Sequence, residues 1–133
     1  MYFEKLKYID ELKYIACIIV LVLILDYVML MVINKKMYLD AFSIINNGPI
    51  KINTRTWITG SITYLLIALL IYFFIVKPKL NIIYSFILGF LVYGIYNGTN
   101  LATINLYNPK VAIIDSMWGG LLFGIVSFLM KLI

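Results

Sequence analysis

Two aspartates, Asp26 and Asp115, lie inside long apolar stretches of this chain, where little is available to solvate a charge. A charged side chain at the centre of a bilayer costs at least about 2.5–3.5 kcal/mol on insertion scales, so such residues face a bundle interior and find partners there. The apolar stretch before Asp115 offers them. At about 100° of rotation per helical residue, Tyr93, Tyr96, Asn97 and Asn100 share one sector, with Thr103 at its edge. Two phenols and two carboxamides on one face are donors from which a carboxylate can accept. Trp118 and Gly119 follow Asp115 at spacings of three and four, on the same helix face. Residue types in this pattern point to an ion, proton or small-ligand site built from Asp26, Tyr93, Tyr96, Asn97, Asn100, Asp115 and Trp118. The structural alternative is interhelical glue, at roughly 0.6–2 kcal/mol per bond.

Absences exclude other chemistries. There is no histidine, which rules out Ser-His-Asp and Cys-His catalysis and His-rich zinc sites. Cys17 is the single cysteine, so no disulfide forms within the chain. No phosphate loop or dinucleotide fingerprint is present, and neither a cofactor nor a metal is expected. The net charge of +5 comes from cations scattered at the ends of apolar runs, a pattern that suits anionic lipid head groups and not nucleic acid.

The elements that must position these residues follow from composition. The 133 residues are 64% hydrophobic and 13% charged, against about 25% charged in soluble domains, which excludes soluble globular and disordered classes. Four runs, at 12–33, 57–76, 82–102 and 111–132, reach the roughly 20 residues that a spanning helix needs. They do not alternate as barrel strands do. The expectation is an all-α integral membrane four-helix bundle, a single transmembrane domain over 1–133 with the lipid bilayer as its partner. Glu4, Asp10 and Glu11 before the first run, and the length of that run, argue against a cleaved signal.

Pro78 marks a tight turn between spans two and three, and Asn108-Pro109 a turn before span four. The long loop, 34–56, has an apolar middle over 37–45 suited to a short interfacial helix, either a packed connector or a cap. Asn46-Asn47-Gly48-Pro49 ends that segment. Counting cations, the side of the termini carries six and the other five, a narrow vote for cytoplasmic termini. Asp26, Asn97 and Asp115 all lie within roughly 6–10 Å of the long-loop face, so they can meet there if spans one, three and four touch. Trp57 and Arg55 reach the same face.

Gly94 with Gly98, and Gly120 with Gly124, are small-residue pairs expected to pack helices closely or to form a homo-oligomer. Tyr2, Phe3, Tyr8, Tyr14, Trp57 and Tyr107 read as interface aromatics. The sequon Asn97-Gly98-Thr99 falls inside a span, where it cannot be glycosylated.

The run from Tyr93 to Thr103, with Asp115-Ser116-Met117-Trp118-Gly119 after it, resembles the signature of a small four-span membrane family, domain of unknown function 2177. The resemblance extends to Asp26, Tyr38 in the long loop, Tyr64 in span two and Pro78. Two departures stand out: the family usually has an acidic residue where Asn97 stands, and a tryptophan near Met29 is common. An amide keeps the hydrogen bonding of a carboxylate and removes its titratable charge. The resemblance implies a fold and a site, and no particular activity.

Three function classes stay open. Paired intramembrane aspartates suit transport or ion handling. An accessory or assembly protein would use the cluster only to specify packing. A lipid-modifying enzyme would use Asp26 and Asp115 as acid and base; with no histidine and no evident nucleophile, an enzyme is the less favoured reading.

Overall fold

The computed structural model describes residues 2–133, apart from the side chains of Tyr2, Phe3 and Leu6. The interface expectation for Tyr2 and Phe3 therefore lies outside the described residues. Among those described, the chain folds as α1 (Tyr2–Tyr27), α2 (Lys35–Ile45), α3 (Thr54–Ile71), α4 (Ile82–Thr103) and α5 (Pro109–Leu132). π-helical turns extend α1 through Val28–Ile33 and α3 through Tyr72–Val76. With these extensions, four helices are long and apolar enough to cross a membrane, matching the four expected spans. The 34–56 connection contains the 11-residue α2, two residues longer at its start than its apolar stretch suggested.

Local chemistry sets the boundaries. Asn53 caps α3 in a reciprocal box with Thr56, accepting from its N–H at 3.1 Å. Asn81 caps α4 by accepting from Ile83 N–H at 2.8 Å. Asn108 caps α5 by accepting from Lys110 N–H at 2.9 Å, with Pro109 in the first turn where no N–H is needed. After α2 the backbone turns through positive φ at Asn47 (54°) and Gly48 (151°), and for the latter only glycine is at ease. Lipid-facing threonines keep their hydroxyls bonded inside their own helix, as Thr99 does to the Ile95 carbonyl and Thr103 to that of Thr99, both at 2.8 Å.

The bundle is organised around α5. Of its most apolar window 61% is buried, against 17–22% for the other three spans. Helix α4 packs along it, α1 packs against it as well, and α3 packs against α1 and reaches α5 at its π-helical end. Phe123, Leu122 and Val126 are fully buried there together with Ile18, Val22 and Ala68. In a bilayer such packing is stabilised by dispersion, because lipid tails solvate the outward leucines and isoleucines equally well.

The α4–α5 crossing has no room for a Cβ at its centre. One on Gly89 would collide with the backbone carbonyl of Gly119, and one on Gly119 with the ring of Tyr93. On Gly120 it would meet Phe86 at 2.8 Å, and on Gly124 at an ordinary 3.8 Å. Within this chain Gly94 and Gly98 do not pack helices closely: a Cβ on Gly98 would meet nothing within 4 Å, and one on Gly94 only Ser116 Oγ at 4.0 Å. The reason is the face in contact. Phe86, Gly89, Tyr93 and Asn97 form the α4 stripe that meets α5, and Gly94 and Gly98 fall off it. Gly89→Ala is expected to destabilise the bundle by about 1–3 kcal/mol, as overpacking against rigid backbone does, whereas Gly98→Ala stays within about 0.5 kcal/mol of the parent. Thermal unfolding of the two variants in one detergent checks both.

Candidate functional site

Asp115 lies two turns into α5 and accepts two hydrogen bonds. Tyr38 Oη donates to Oδ1 at 3.0 Å, and Asn97 Nδ2 donates to Oδ2 at 2.7 Å. These donors arrive from α2 and α4, so one carboxylate joins three helices. Asn97, 1% exposed, uses its whole amide. Its Nδ2 also donates to the Tyr93 carbonyl at 2.9 Å, and its Oδ1 accepts from Tyr107 Oη at 2.7 Å. The short Ile104–Asn108 turn delivers Tyr107, held by its own N–H to the Ile104 carbonyl at 3.0 Å. Asn100 reaches the same Tyr107 hydroxyl.

Helix α2 lids this end. Tyr38 and Ala41, three apart, are buried against Val111 of α5. Phe42 stacks on Tyr38 with ring centroids 6.5 Å apart and meets Tyr107 edge-on at 6.3 Å. Burial, and then the neighbouring Asp115, pushes the Tyr38 phenol well above its ordinary range, so it stays a donor.

Asp26, on α1, is served by the same face of α5 one turn further on. Trp118 Nε1 donates to its Oδ1 at 2.7 Å, and Tyr64 of α3 presents its hydroxyl to the same carboxylate. Asp115 and Trp118 share one face of α5, Asp115 bonded to α4 and α2 and Trp118 to α1. The hydrogen bonds to the two aspartates come as two sets, Trp118 on Asp26 and Tyr38 with Asn97 on Asp115. Tyr93 links them, since its hydroxyl lies within electrostatic reach of both Asp26 and Asp115. Its ring is fixed over Gly119 and edge-on to Phe123 at 6.2 Å.

Not every expected residue joins. Tyr96 is 56% exposed on the outer flank, reaching only the neighbourhood of Tyr107. Thr103 bonds within its own helix. Trp57 and Arg55, expected only to reach the same face, are exposed outside the cluster, Trp57 at 70%. Tyr38 and Tyr64 entered the sequence reading only through family resemblance, and Tyr107 as an interface aromatic. The three-residue spacing of Tyr38 and Ala41 in an apolar loop was the available signal for the first. Among the described residues no group of three or more His, Cys, Asp or Glu side chains comes together for a metal. All the donors to the two aspartates are neutral, and neither aspartate has a Lys or Arg within salt-bridge distance among the described residues.

Tyr107→Phe leaves the Asn97 carbonyl oxygen buried without a donor and is expected to cost about 1–3 kcal/mol. Tyr38→Phe removes a donor to Asp115 and is expected to cost about 1–2 kcal/mol, read by thermal or denaturant unfolding. The raised Tyr38 pKa has a definite sign. The folded state holds the phenolic proton after the unfolded chain releases it at about pH 10, so this contribution is full below that pH and is lost above it. Above about pH 10 the parent should lose stability more steeply than Tyr38→Phe.

A family model described as predicted membrane protein (DUF2177) matches residues 11–132. No curated protein and no solved structure matches the chain. Matched from the first turns of its first span to the end of its last, the chain belongs to the DUF2177 family of predicted membrane proteins.

Proposed function

We propose that this integral, multi-pass membrane protein handles a proton or a small cation at the Asp26–Tyr93–Asp115 cluster. The observation that carries the reading is the pair of intramembrane carboxylates served only by neutral donors, with no cationic side chain in salt-bridge range among the described residues. A carboxylate in hydrocarbon without a fixed counter-charge either takes a proton or keeps a cation beside it, and both can exchange with solution. The Tyr93 phenol, in electrostatic range of both aspartates, carries a donor and an acceptor in the same region. The six-to-five cation count supports, as a separate reading, termini in the cytoplasm.

A specific observation favours a second reading, a purely structural network. Every buried side-chain nitrogen and oxygen among the described residues has a partner, and Asn97 is bonded through every donor it has. Such closure rigidifies a bundle without moving anything.

Proton and cation flux into liposomes separates the two. The parent protein is expected to conduct or exchange, and Asp26→Asn and Asp115→Asn to reduce that flux at least tenfold. Asp115→Asn is a clean probe of charge, because its amide can accept from Asn97 and donate to a rotated Tyr38 hydroxyl. No flux in parent or variants, all folded, overturns the first reading in favour of the second.

A further inference from the structure

At the end of the bundle opposite the aspartate cluster, a cavity of about 500 Å³ opens among the ends of α1, α3 and α5. Lys77, Lys79 and Lys131 converge on it, with Tyr14, Tyr72 and Met130 among its other walls. We propose that this cavity binds a phosphate group, filled from the bilayer by the head group of an anionic phospholipid.

The fold brings the three lysines together from separate elements. The π-helical turn that ends α3 closes with Lys77 N–H on the Tyr72 carbonyl at 2.8 Å, and the chain then reverses through Lys79 in the left-handed region at φ 55°. Lys131 comes from the last turn of α5. Lys77 is already positioned: its Nζ lies 3.0 Å from Glu11 Oε1 and 5.8 Å from the centre of the Tyr72 ring. Lys79 and Lys131 have no carboxylate in salt-bridge range among the described residues. Three cations facing one cavity against the single carboxylate of Glu11 leave a surplus of positive charge, which an anion would offset.

The form of the cavity favours a lipid as the source of that anion. Its basic rim tops a wall of Ile75, Val76 and Met130, so a phosphate at the lysines could trail its acyl chains down apolar surface. Phe73 and Phe74, beside it on α3, are 50% and 61% exposed on the bundle exterior where such chains would run. Basic pockets between spanning helices at the level of the head groups are recognised sites for acidic lipids. Lysine, as a point charge, suits a phosphodiester in a loosely defined orientation.

The test is thermal unfolding of the full chain in dodecyl maltoside with phosphatidylglycerol, phosphatidylcholine or inorganic phosphate added, and native mass spectrometry of the same samples. Variants are the Lys79→Gln/Lys131→Gln pair, the Lys79→Arg/Lys131→Arg pair, and Lys35→Gln/Lys36→Gln at the other end as a control. All four positions are exposed, so folding is not at stake. Phosphatidylglycerol is expected to raise the parent's Tm and leave a bound lipid adduct, as a ligand selective for the folded state does. The glutamine pair should lose both effects, while the arginine pair and the control keep them. An equal gain from phosphatidylcholine, or an undiminished gain in the glutamine pair, overturns the site. The same gain from inorganic phosphate, lost in the glutamine pair, keeps the phosphate site and overturns the lipid as its source.

Discussion

A carboxylate placed within an apolar helix must be given donors, and Asp115 takes its donors from two other elements of the chain. Much of the loop-side architecture follows from that requirement. Tyr38 can reach Asp115 only if α2 folds back over the start of α5, which buries Ala41 against Val111. Asn97 can reach it only where α4 and α5 run close, and its remaining acceptor then fixes Tyr107 and the turn that carries it. Hydrogen bonds to a charged group are stronger than neutral ones, and an unpaired one in such a setting is costly. The long connection between the first two spans is thereby a lid bonded to the core of the cluster.

Close approach of α4 and α5 is the second condition, and glycine meets it. With backbone of Gly119 against Gly89, the Tyr93 side chain can pack against Gly119 and Asn97 can sit one turn further on. The polar stripe of α4 and its packing stripe are one surface. That merging leaves Gly98 outside the crossing. A similar economy operates at the opposite end, where the buried hydroxyls of Ser85 and Ser127 meet at 3.1 Å across the same pair of helices.

The two ends of the bundle differ in chemistry. On the long-loop side, acidic and amide groups are sequestered among phenols, with cations such as Arg55 kept outside. On the side of the termini, lysines open onto a cavity and the carboxylate of Glu11 is tied to Lys77, whose pKa this contact raises. Helix α5 connects the two, with Asp115 near its start and Lys131 in its last turn.

Amino-acid order alone determined the number and extent of the spans, because hydrocarbon thickness sets a length that composition must fill. It also determined the turn positions at Pro78 and Asn108-Pro109, and that Asp26, Asn97 and Asp115 lie toward one face, because helical rise converts residue number into depth. Lateral order is not written in periodicity. Which helix packs against which others depends on side-chain shape at crossings, and only the folded bundle decided that α5 packs against both α4 and α1. That placement gave each aspartate its own donors, sent Trp118 to Asp26, and turned Tyr96 outward while Tyr93 stayed within. Tyr38 and Tyr107 were likewise decided by tertiary contact, since a phenol at a loop position reads as an interface residue until a buried acceptor is brought within 3.0 Å of it.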